Sequence, residues 1–135
     1  MHEKYTRRFD NFAGSLEALK LAKDRDPEDT FVLSGTAQKF NITFDLSWKI
    51  MKELLVGYYK VIDFAQGSPR EVIRKAGSVG LVEDDIWMDM LNDRNNLAHD
   101  YDGTMVRGLF DIIVGQYTAA FEKFRTTVEN MDFAD

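Results

Sequence analysis

A chain of 135 residues with a hydrophobic fraction of 44% has the size of one domain and enough apolar side chain to bury a core without covalent staples. Its formal charge of -6 and pI near 4.9 oppose a broad basic surface for gripping nucleic acid, because such binding draws its affinity from phosphate neutralisation. The lack of cysteine excludes disulfides and thiolate ligands, and with histidine only at positions 2 and 99, neither a metal nor a cofactor is expected.

The opening segment places apolar residues at Tyr5, Phe9, Phe12, Leu16 and Leu19, steps of four and three that draw one stripe down a helix to about Lys23. The charged run from Asp24 to Asp29 breaks it. Asp26 before Pro27 reads as an N-cap followed by proline at the first helical position, so a second helix is expected to start there. Its line, Leu33, Ala37, Phe40, Phe44, Trp48, Met51 and Leu55, makes it the longest, and Phe44 and Trp48 read as core. It should fade between Gly57 and Gln66, and Gly67 closes the segment.

Ser68-Pro69-Arg70-Glu71 combines a serine cap, a proline at the first position and a glutamate at the third, the pattern of a capping box, and predicts a short helix to about Val79. Gly80-Leu81-Val82 links it to a fourth helix, where Glu83, Asp84 and Asp85 put negative charge at the positive end of the dipole. A last helix carries the stripe Val106, Phe110, Ile113, Tyr117, Ala120, Phe124 and Val128, and the tail from Met131 to Asp135 should fray. No segment alternates with period two long enough to argue a strand. The expectation is an all-α fold, an antiparallel up-and-down bundle of four to five helices in a single domain over residues 1–135. No apolar stretch approaches the ~20 residues of a membrane span. The charged N-terminus lacks a signal peptide's apolar stretch, so a cytoplasmic protein without membrane attachment is expected.

Chemistry concentrates in Arg94-Asn95-Asn96-Leu97-Ala98-His99-Asp100-Tyr101, just before an Asp102-Gly103 turn signal. Extending the fourth helix from Trp87 through Leu91 puts Arg94 and then Ala98 on the apolar line. A buried guanidinium is costly unless it snorkels, pairs with an acid, or lines a polar pocket or subunit interface. Asn95 and His99, four apart, fall on the neighbouring stripe and can touch on a helix. Arginine can hold a phosphate bidentately, and an imidazole with a reference pKa of ~6.5 suits proton transfer near neutrality. The set suffices for metal-independent RNA cleavage, with histidine helping to activate the ribose 2'-hydroxyl and arginine stabilising charge on the phosphate. One histidine does not easily serve as base and acid together; a symmetric dimer would supply a second. The plainer reading is that Arg94 and His99 serve the dipole and carbonyls at a helix C-terminus.

The spacing R-x-x-x-x-H-x-Y formed by Arg94, His99 and Tyr101 resembles the signature of the HEPN superfamily of prokaryotic helical domains, in particular the toxin of HEPN and minimal-nucleotidyltransferase pairs. The chain also resembles the nucleotidyltransferase substrate-binding protein family. The resemblance runs through the segment from Phe40 to Lys49, that from Gly67 to Arg74, Gly80-Leu81 and Trp87. Asn41 stands where that family usually has glutamate, and Asp45 and Ser47 replace commoner glutamate and alanine. The resemblance implies a helical homodimer in complex with a small nucleotidyltransferase. It further implies a toxin-antitoxin pair in which Arg94 and His99 are the catalytic residues of an endoribonuclease acting on RNA across the dimer interface, and Tyr101 accepts AMP from the antitoxin partner. The alternative is a non-catalytic subunit that binds the substrate or nucleotide of its enzyme partner, with Arg94 and Asn95 holding the ligand.

Overall fold

The computed structural model describes residues 3–61, 67–100 and 102–132, with side chains from residue 6 onward. Helices α1 (Glu3–Lys20), α2 (Thr30–Gly57), α3 (Pro69–Ser78), α4 (Asp84–Leu97), α5 (Thr104–Ile112) and α6 (Thr118–Glu129) follow one another. A wide π-helical turn, Ile113–Tyr117, joins α5 to α6 in one continuous rod, so the described residues form five rods and contain no strand. A short 3-10 turn, Leu21–Asp24, ends the first rod. The rods pack on one another as a bundle: α1 lies along α2 and touches α6, α3 contacts α4, and α2 contacts α3, α4 and α5.

The stripes in the sequence become one core. Phe12, Phe40, Phe44, Trp87, Tyr117, Phe121 and Phe124 are all buried. Trp87 meets Phe121 edge-on at 5.5 Å and Phe124 at 5.6 Å, and Phe12 meets Phe124 at 5.7 Å. Such tilted aromatic pairs add about 0.5–1.5 kcal/mol each beyond the area they bury. The four polar residues buried among the described ones each return a hydroxyl to a carbonyl of their own helical rod: Thr36 to Val32, Thr43 to Lys39, Ser47 to Phe44 and Thr118 to Ile113, at 2.6–2.7 Å. The last of these spans five residues and satisfies a carbonyl within the π turn.

Helix ends follow from caps. Ser68 Oγ accepts the Glu71 amide at 3.3 Å while Glu71 reaches back to the Ser68 amide, the capping box expected from the sequence. The start of α2 differs from expectation. Asp26 accepts the Glu28 amide at 2.9 Å and closes a local turn around Pro27, and Asp29 caps the helix by accepting from Phe31 at 2.8 Å. Two aspartates three apart are both competent caps; the local turn claims the first and leaves the helix to the second. α3 and α4 come close because Gly77 has no side chain: a Cβ there would lie 2.8 Å from that of Asp84.

α2 ends at Gly57, where the expected interval begins, and residues 62–66 of that interval, including Phe64, lie outside the described residues. Tyr5 is likewise not described beyond its helical backbone. Of the tail, Met131 packs against the core instead of fraying, and residues 133–135 lie outside the description. No described helix is long and apolar enough to cross a membrane.

Candidate functional site

α4 carries the reactive set, and its phase differs from the line drawn in the sequence. The buried residues are Trp87, Met90, Leu91 and Leu97. Ala98 is exposed, Leu97 fills the last core position, and Arg94 sits at the margin of the core face. There it pairs with an acid, one of the solutions open to a misplaced guanidinium. Arg94 Nε donates to Asp45 Oδ1 at 3.0 Å and Nη2 donates to Oδ2 at 2.8 Å, a bidentate bond from α4 to the middle of α2. This contact holds the guanidinium's pKa above its ordinary value, against partial burial that pulls the other way.

The two side chains remain 31% and 33% exposed, so the pair orients the arginine without hiding it. A guanidinium has five N–H groups in a planar fork. Asp45 takes its side edge, and among the described residues the Nη1 end has no partner. Nη1 together with the second N–H of Nη2 forms the outer edge of the fork, which can still give two parallel bonds to a phosphate.

Arg94 and Asn95 line a cleft of about 350 Å³ between α2, α4 and Pro69 at the start of α3, together with Asp45, Trp48, Lys49 and Leu91. Trp48 is only partly buried, so its assignment to the core is half right: the side chain packs on the core and also lines this cleft. Phe44 is fully buried, as expected.

His99 lies elsewhere. α4 ends at Leu97, and the chain tightens through bonds of the His99 amide to the Asn96 carbonyl at 3.0 Å and the Asp100 amide to Leu97 at 3.2 Å. The helix stops short of His99, so the expected contact with Asn95 does not form as a hydrogen bond among the described residues. Both side chains are exposed, and His99 does not line the cleft. Tyr101 lies outside the described residues.

The turn bearing His99 is nonetheless anchored. Asp100 Oδ1 accepts the Met105 amide at 3.0 Å and Oδ2 accepts the Val106 amide at 2.9 Å, so one carboxylate caps α5 with both oxygens. Asp102 accepts the Thr104 amide at 3.0 Å, a bond that lowers its carboxyl pKa. Gly103, at φ +78°, supplies the left-handed residue before the helix, where a larger side chain would be strained.

A second clamp acts one residue before Arg94. Tyr117, buried within the π turn and stacked on Phe40 at 5.5 Å, donates its hydroxyl to Asp93 Oδ2 at 2.5 Å. Burial first, and then this carboxylate, push the phenol well above its ordinary range.

Sequence reasoning missed Asp45, Asp100 and Tyr117 in these roles. Asp45 had a signal, since it is the sole acid between Asp29 and Glu53 and follows Phe44 on an apolar helix. Asp100 had one as well, in its position shortly before a helix start. A larger groove of about 540 Å³ runs beside Leu81, Ile86, Trp87, Ala120 and Phe124, spanned by the Glu83–Lys123 ion pair at 2.9 Å, and brings no comparable chemistry together. Among the described residues no three His, Asp or Glu side chains converge as metal ligands.

No curated protein matches the chain. A family model does match residues 7–130, nearly the whole length, and on that match the chain belongs to the family described as nucleotidyltransferase substrate binding protein like.

Proposed function

We propose that this chain is the HEPN-type subunit of a toxin-antitoxin pair, a homodimeric, metal-independent endoribonuclease whose partner is a small nucleotidyltransferase. The observation that carries the reading is Arg94 held by Asp45 along one edge, with its outer edge unengaged among the described residues. His99, exposed on a turn fixed by Asp100, supplies the proton-transfer group. In this mechanism the imidazole accepts the 2'-hydroxyl proton, the 2'-oxygen attacks the adjacent phosphorus, and the 5'-oxygen leaves. Arg94 stabilises the added negative charge, and the second protomer's His99 protonates the leaving oxygen. The exposure of His99 accords with a site completed by a second copy.

Control falls to Tyr101. Its phenol loses its proton to solvent or the partner, the oxygen attacks the α-phosphorus of ATP on the partner, pyrophosphate leaves, and the AMP adduct, two residues from His99 in the chain, blocks catalysis by bulk and charge. The family's description independently supports a second reading, a non-catalytic subunit that presents a nucleotide or other substrate to its nucleotidyltransferase. The test is RNA cleavage in EDTA by wild type and His99→Ala. Cleavage lost in the variant is the expected result; an unmodified wild type that leaves RNA intact but binds nucleotide overturns the first reading for the second. In parallel, mass spectrometry after co-expression with the partner should record an AMP addition that Tyr101→Phe abolishes.

A further inference from the structure

We infer that the α2–α4 cleft is a binding subsite for one nucleoside monophosphate unit, in which Trp48 stacks the base and Lys49, with the outer end of Arg94, holds the phosphate. The inference rests on the reading of Arg94 as a phosphate-binding group and adds residues from α2 that the reactive segment does not contain. Its volume of about 350 Å³ falls within the range of small-ligand clefts, roughly 300–1,000 Å³.

Its walls are chemically unlike one another. Trp48 is partly buried, with its inner side on the core, and an aromatic residue fixed in this way can stack any base because every base has a π-face. Lys49 follows it directly and is exposed, and Asn95, also exposed, offers an amide to a base edge.

Charge points the same way. The protein as a whole carries -6, yet this cleft holds two cations against the single carboxylate of Asp45. That carboxylate is already committed to the side edge of Arg94, so it fixes the direction of the guanidinium. A local positive spot on an acidic chain suits one phosphate and not a long polyanion, which reconciles nucleotide recognition with the low pI.

The unit can come free or as part of single-stranded RNA, and the experiment separates these sources. Wild-type protein is titrated with AMP, with a 2'-O-methyl trinucleotide that resists cleavage, with adenosine and with inorganic phosphate, while tryptophan emission is followed. Trp87 is buried, so the difference between wild type and Trp48→Leu reports Trp48 alone. AMP, the trinucleotide or both should quench Trp48. Quenching by AMP only assigns the cleft to free nucleotide, and quenching by the trinucleotide only assigns it to RNA.

By calorimetry, Trp48→Leu should weaken binding roughly tenfold, the cost of losing one stacked base. Lys49→Gln, an exposed change that leaves the fold intact, should weaken it and flatten its salt dependence. Failure of every nucleotide to quench Trp48 overturns the assignment. So does affinity unchanged in both variants, or phosphate alone binding as tightly as AMP. Loss of RNA cleavage in His99→Ala tests the catalytic reading separately, since nucleotide can bind the cleft whether or not His99 cleaves.

Discussion

The two halves of α4 are built on opposite terms. From Ile86 to Leu91 the helix drives Trp87, Met90 and Leu91 into the aromatic core, where Trp87 touches rings from α2 and α6. From Asp93 onward it presents charge and amide groups, and the two charged ones are fixed from other parts of the bundle: Asp93 by Tyr117, Arg94 by the bidentate contact with Asp45. The first half contributes stability through area; the second contributes direction, at a smaller energetic return. Partly exposed ion pairs are worth little on average, so the Arg94–Asp45 bond makes better sense as an aiming device than as a staple.

The contrast is broken most severely at Trp87. Trp87→Ala should cost about 3–5 kcal/mol in denaturant unfolding, the range for a large aromatic removed from a packed core. Tyr117→Phe tests the joint between the halves and should cost about 2 kcal/mol at neutral pH, as expected for a hydrogen bond to a charged group. Its pH dependence has a definite sign. In the folded protein the Tyr117 phenol keeps its proton to higher pH than the ordinary value of 10.0. The associated stability is therefore complete below about pH 10 and is lost as pH rises beyond it, where the unfolded chain ionises first. The gap between wild type and Tyr117→Phe should then narrow above pH 10, and a gap that stays constant to pH 11 would contradict the burial argument.

Asp100→Ala removes a double cap and should cost about 1 kcal/mol. It should also sharpen the amide exchange difference between the start of α5 and the rest of that helix. The smallest stability effect is expected of Asp45→Asn, about 0.5 kcal/mol after allowance for solvent screening. If Asp45 aims Arg94, the same change should nonetheless lower RNA cleavage at least tenfold under the proposed activity, as misplacement of a charge-stabilising group does. Equal small losses in stability and activity would reduce Asp45 to a structural partner.

Much of the bundle was legible because its signals are local. The stripe from Leu33 to Leu55 predicts a long helix, and Ser68 to Glu71 predicts a capped start; both appear as read. What escaped depends on alternatives of nearly equal local merit or on distant partners. Asp26 and Asp29 compete for one cap. The last stripe passed over Phe121, which is fully buried against Phe12, Phe40 and Trp87, in favour of the partly exposed Ala120.

Of the site, Arg94 was legible as an anomaly, and pairing with an acid was among its foreseen outcomes. Its partner lies 49 positions away on another helix, so periodicity within α4 contains no trace of it. The helix end at Leu97 likewise removed His99 from the stripe on which extrapolation had placed it.

Neighbours in the chain, Asp93 and Arg94 hold different helices: the first is tied to the π turn between α5 and α6, the second to α2. A helix fastened at one point can still roll about its long axis, as most packed helices do slightly when a neighbour changes. Fastened in two directions at successive residues, α4 behaves like a keyed shaft whose rotational setting is indexed. Strain arriving at its C-terminal turn would meet these two keys on one side and, on the other, the Asp100 cap that fixes the segment bearing His99.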